Sequence, residues 1–125
     1  MVRTLPGRAL VAIRLSLGAS AWLAPRLTLC AFGLDADEYP EAAYAMRLFG
    51  ARNATLGVGL LASAGDDRRL WWKLGIACDL ADVTAALISR RAGYVPRDPV
   101  TAVRLVGAGL IATGLGVAAL AEDDV

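Results

Sequence analysis

Asp79 and Asp82 stand three residues apart in GIACDLADVTAAL (75–87), a stretch that is otherwise apolar or small. Two carboxylates about one helical turn apart repel, and one of them is then driven to hold a proton unless a cation neutralises the pair. Such a pair can titrate, serve in acid–base chemistry on an apolar substrate, or fix helix register as buried ion-pair partners. The candidate counter-charges are Arg14, Arg47, Arg52 and Arg104, which outnumber the two aspartates. The chain has no histidine, which removes haem axial histidines, histidine zinc sites and a histidine general base. Asp79-x-x-Asp82 alone is too short to imply a metal site, and no cofactor is expected. Cys30 and Cys78 form no CxxC, and no disulfide is expected. The glycine-rich runs near 56–65 and 107–116 lack the Lys-Ser/Thr ending and preceding strand of a phosphate loop, so they read as packing faces.

The elements that position these residues follow from composition. The chain is 57% hydrophobic, against roughly 45–50% apolar for soluble domains, and its charges cluster at intervals between apolar segments. The net charge of +1 offers no basic field for nucleic acid. This pattern predicts an all-α fold: one domain over residues 1–125, a four-transmembrane-helix antiparallel bundle with helices at about 5–23, 41–64, 68–91 and 99–121. Thr4 and Pro6 open the first helix, and Pro25 kinks or ends it. Residues 26–33 either continue beyond the kink or lie at the interface. Gly65 stops the second helix, Asp66-Asp67 cap the third, Ala92-Gly93 end it, and Asp98-Pro99 are an N-cap and first-turn pair for the fourth. Trp22, Tyr44, Trp71, Trp72 and Tyr94 fall near helix ends, as interfacial belts require. Arg3, Arg8 and Ala19-Ser20-Ala21 have the look of a signal peptide, but Arg14 interrupts the apolar core and favours a retained first helix.

An even number of spans puts the N-terminus, the 65–69 loop and the C-terminus on one side. That side holds Arg3, Arg8, Arg68, Arg69 and Lys73, against Arg26, Arg90, Arg91 and Arg97 on the other. The small excess favours N-in, and an integral membrane protein of a bacterial inner membrane is expected.

Helical periodicity then sorts the faces. Gly75, Asp79, Asp82, Ala86 and Ser89 share one stripe of the third helix, leaving Ile76, Leu80, Val83 and Leu87 for lipid. Gly7, Arg14, Gly18, Ala21 and Pro25 align on the first helix, Arg47, Gly50, Asn53, Ala54 and Gly57 on the second, and Gly107, Gly114 and Ala118 on the fourth, flanked by Arg104. Small faces let backbones approach closely in lipid, so these stripes mark the bundle interior. A charge at the bilayer centre costs about 2.5–3.5 kcal/mol on insertion scales, so partners are required. Counting outward from the hairpin centre near Asp67, Arg52 and Asp82 lie at equal depth, which predicts an Arg52–Asp82 ion pair with Asn53 reaching towards Asp79. On an ideal helix Arg52 points away from the Arg47/Gly50 stripe, so the second helix is wrapped on two sides or Arg52 faces a partner subunit. Arg47 and Arg104, at similar shallow depth, either snorkel to water or bind an anionic group such as a lipid phosphate.

The stretch RLFGARNATLGVGLL (47–61), followed by a helix carrying CDLADVTAAL (78–87), resembles a family of small bacterial and fungal four-helix integral membrane proteins of unknown function. Their Arg-x-x-Gly-x-Arg-Asp/Asn motif falls here on Arg47, Gly50, Arg52 and Asn53, ahead of Gly57, with Asp79 and Asp82 on an acidic third helix. The resemblance implies a four-helix membrane fold and brings no activity.

The leading expectation is a non-enzymatic bundle that binds a lipid or other amphiphile, or serves as a subunit of a membrane complex, with membrane lipids and a homo-oligomeric or complex partner in attendance. A small oligomeric proton-coupled transporter using Asp79 and Asp82 is the alternative, and a membrane enzyme using the same carboxylates the second.

Overall fold

A computed structural model describes residues 1–124. Among the described residues the fold is all-helical, with five helices: α1 (Leu5–Leu23), α2 (Pro25–Ala31), α3 (Glu41–Ala62), α4 (Gly65–Ala92) and α5 (Pro99–Asp123). Residues 26–31 thus belong to a separate short helix, and Phe32 and Gly33 form the turn that follows it. The break falls at Ala24, whose backbone leaves the helical region before Pro25 restarts it, because the residue before a proline is driven out of the α conformation.

The ends follow local chemistry. Thr4 Oγ1 accepts from the Gly7 N–H at 3.2 Å and caps α1. Asp98 accepts from the Thr101 N–H at 2.8 Å and caps α5. Thr101, through its backbone and then its hydroxyl, holds the Asp98 carboxyl below the ordinary carboxylate range. Gly93 closes α4 in the left-handed region at φ 81°, which suits a residue without Cβ. At the hinge the expected order shifts. α3 stops at Ala62, α4 begins at Gly65, and Asp66 and Asp67 lie inside its first turn, where they face the positive end of the helix dipole rather than capping it.

The four long helices contain 19, 22, 28 and 25 residues, or about 28–42 Å at 1.5 Å per residue. They form a ring in which α1 packs on α3 and α5, α4 packs on α5, and α3 and α4 touch least. Glycines set the two tightest seams. A Cβ on Gly18 would stand 2.8 Å from the Ala54 backbone nitrogen, and one on Gly50 2.8 Å from the Gly18 carbonyl oxygen, so α1 and α3 are in backbone contact. Across the ring, Gly109 seats Val83 and Gly116 seats Ile76. The α5 face turned inward is therefore the one with Gly109, Gly116 and Ala119. The expected Gly107/Gly114/Ala118 stripe is displaced from the seam, and a Cβ on Gly107 or Gly114 would meet nothing within 4 Å among the described residues. Ile76 and Val83 correspondingly pack against α5 while Leu80 and Leu87 stay exposed. α5 carries two small-residue faces, and the branched side chains of α4 select between them.

One end of the bundle gathers the N-terminus, the α3–α4 hinge and the C-terminus. Arg68, buried, donates to the carbonyls of Met1 and Ser63. Trp72 is 1% exposed and its Nε1–H donates to Asp123 at 2.6 Å, while Trp71 lies flat on Gly59. These two tryptophans are packing residues and not belt residues, whereas Trp22, Tyr44 and Tyr94 are exposed near helix ends. The core at this end joins Val2, Leu10, Val11, Leu60, Trp72 and Ala119, and a second cluster around Leu29, Ala36 and Met46 closes the α2 end.

Large apolar side chains are exposed along the outer faces of the helices. Leu5, Leu23 and Val103 are 70–80% exposed, with Ile88, Leu110, Ile111 and Val117 among the other outward side chains. By length and composition α5 alone among the described helices can cross a membrane, and 11% of its most apolar 18-residue window is buried. Interior charges lower the hydropathy of α1, α3 and α4, so four spans do not follow from helix composition.

Candidate functional site

Five polar side chains, Arg14, Arg52, Asn53, Asp79 and Asp82, meet near the midpoints of α1, α3 and α4. Arg14, 2% exposed, is the centre. Its Nη2 donates to Asp79 Oδ2 at 2.7 Å and its Nη1 to Asp79 Oδ1 at 3.3 Å, a two-pronged, charge-assisted contact. The same Nη1 donates to Asn53 Oδ1 at 3.1 Å, and Asn53 Nδ2 donates to the Phe49 carbonyl, which fixes the amide's orientation. α1 and α4 have no close backbone approach, so the arginine spans the ring diagonal. Gly75 makes this passage: a Cβ there would lie 2.7 Å from Arg14 Nη2.

Beside this triad Arg52 Nη2 donates to Asp82 Oδ2 at 2.5 Å, across the α3–α4 opening. The side chains are 37% and 32% exposed, against 3% and 6% for Arg14 and Asp79. Arg52 leaves α3 off its inner stripe, and its long side chain curls over the Phe49 ring, 5.1 Å from guanidinium carbon to ring centroid, to reach Asp82 within the same chain. That contact reconciles its helical angle with its depth.

Of the residues singled out by sequence, Arg52, Asn53, Asp79 and Asp82 are therefore brought together, but Asn53 serves Arg14 rather than Asp79. Arg47 and Arg104 lie elsewhere. Both are exposed; Arg47 Nε donates to the Trp22 carbonyl at 3.2 Å and Arg104 Nη1 to the Ala31 carbonyl at 3.4 Å. Each cation satisfies a carbonyl left free at the end of α1 or α2, where the helix dipole favours positive charge. The residue that spacing missed as a site member is Arg14. Its place on the Gly7/Gly18/Ala21 face marked it as inward, but the hairpin geometry used to match depths joins only helices adjacent in sequence.

The cluster forms the floor of a partly open cavity of about 630 Å³, within the ~300–1,000 Å³ range of small-molecule pockets. All five helices contribute. The walls are aliphatic and aromatic, with Leu17, Phe32, Phe49, Leu105 and Ile111 among them, and Ala86 and Ala108 leave room. Polar lining comes from Arg14, Asn53, Asp79 and Asp82, with Ser89 further along α4. Among the described residues no group of three or more acidic or cysteine side chains could hold a metal ion, and both cysteines are free. Comparison with protein families, with curated proteins and with solved structures finds no match.

Proposed function

We propose that the protein is an integral membrane helical bundle that binds an amphiphile in its central cavity. The observation that carries this reading is the cavity itself: an apolar chamber of about 630 Å³ with its polar groups gathered at one place. A chamber of that size in a bundle whose α1–α3 seam closes to backbone contact is retained volume, since native interiors otherwise pack with few voids larger than a water molecule. An apolar outer surface on the long helices suits lipid as the surrounding solvent.

The test uses detergent-purified protein and the uncharged apolar probe N-phenyl-1-naphthylamine. Wild type is expected to raise probe fluorescence above the level given by the Ala108→Trp variant, whose indole fills the chamber, with both proteins equally helical by circular dichroism. Equal fluorescence from the two overturns the cavity reading.

A further inference from the structure

We infer that the cavity selects an uncharged head group that donates a hydrogen bond, a hydroxyl on a hydrocarbon chain, over a carboxylate, phosphate or ammonium. This deepens the amphiphile reading above and rests on it. The inference comes from how the floor's charges are already committed. Arg14 faces Asp79 and Arg52 faces Asp82, so two cations meet two anions and the cluster sums to zero. A charged head group entering here would bring an uncompensated charge into an apolar chamber, and burying an unpaired charge is costly.

The accessible chemistry is that of an acceptor. Arg14, Asn53 and Asp79 are 2–4% exposed, and the Arg14 terminal nitrogens already bind Asp79 and Asn53. The Nε atoms of Arg14 and Arg52 lack partners but are covered by protein, out of a ligand's reach. Asp82 is the open member. It lines the cavity, its side chain is 32% exposed, and Arg52 holds it through Oδ2. Among the described residues Oδ1 receives no hydrogen bond, so it can accept one from a hydroxyl while the ion pair stays intact. The free arginines that would favour an anion, Arg47 and Arg104, bind helix-end carbonyls and do not line the chamber. From Asp82 the chamber runs between apolar walls that take the hydrocarbon chain.

The experiment compares three probes of one chain length, dodecan-1-ol, dodecanoate and dodecylamine, at neutral pH. They compete for bound N-phenyl-1-naphthylamine, and retention is read by native mass spectrometry. The alcohol is expected to bind about ten-fold or more tighter than either ion, the scale set by one unpaired buried charge or hydrogen bond. Ala86→Phe, on a different helix from Ala108, is expected to abolish alcohol binding, which locates it in the chamber even where one filling variant folds poorly. Dodecanoate or dodecylamine binding as tightly as the alcohol overturns the head-group inference and leaves the cavity reading standing. Binding of none of the three, with no fluorescence difference between wild type and the filled variants, overturns both.

Discussion

Arg14 and Asp79 make the most consequential contact between residues in this protein, because each is held where water cannot replace the other. Removing one partner of such a buried pair leaves a bare charge, and costs about 3–5 kcal/mol, whereas replacing both with apolar side chains of similar volume is often neutral or stabilising. Asp79→Ala is therefore expected to lower stability by about 3–5 kcal/mol, and Arg14→Met with Asp79→Leu to recover most of it. Asp82→Ala removes a pair open to its surroundings and should cost about 1 kcal/mol or less. Denaturant unfolding in detergent distinguishes these, and a single Asp79→Ala as mild as Asp82→Ala would show that water reaches the pair. The two contacts were unequally legible. Arg52 and Asp82 sit on consecutive helices, and counting from their hinge fixes their relative depth. Arg14 and Asp79 sit on helices separated by two turns of the chain, and their depth is set by packing, which no spacing encodes.

At the scale of the elements, caps and prolines carried the boundaries, and glycine position carried the seams. Thr4, Asp98 and Gly93 act through local hydrogen bonds and backbone conformation, so the sequence displays them directly. The faces of α1 were also legible: Gly7, Arg14, Gly18 and Ala21 are all buried. The inward face of α5 was not, since Gly107/Gly114 and Gly109/Gly116 are equivalent by period and only Ile76 and Val83 of α4 distinguish them. Alanine substitution separates the two sets. Gly18→Ala puts a methyl group into the α3 backbone and is expected to destabilise by about 1–3 kcal/mol, as overpacking does. Gly107→Ala adds a methyl group in open space and should stabilise by up to about 1 kcal/mol through helix propensity. Thermal unfolding checks the pair. Equal and opposite shifts to those stated would place Gly107 in the seam. α2 escaped definition because seven residues give too little periodicity, and its course depends on how Leu29 and Thr28 seat against α3 and α1.

At the scale of the whole molecule, one end is tied together by contacts between the two termini and the α3–α4 hinge. Arg68 ties the hinge to Met1, Trp72 and Arg69 tie α4 to Asp123 and Asp124, and the opposite end holds α2 and the α4–α5 turn. Four long helices that run antiparallel around the ring bring both termini to one end whatever the ring's solvent. The membrane environment proposed above rests on the surface as a whole rather than on any one helix: α5 meets the length and hydropathy of a span by itself, whereas α1, α3 and α4 bring their charges into a shared neutral cluster and present leucines, valines and isoleucines outward. Charges paired inside a bundle burden insertion less than the same charges on isolated helices, since insertion penalties fall where polar groups face the interior and pair. The expected outcome is a protein that stays with the membrane pellet after alkaline carbonate extraction and has both termini on the same side. In sealed vesicles, tags at the two ends should be cleaved by protease together. A cysteine replacing Asp66 should be labelled from that same side, and one replacing Tyr94 from the other. Release by carbonate would return the chain to a soluble helical bundle. Termini on opposite sides would mean that one of the four long helices lies along the membrane instead of crossing it, and α1, with Arg14 at its centre and Pro25 at its end, is the helix that would then have to leave the span.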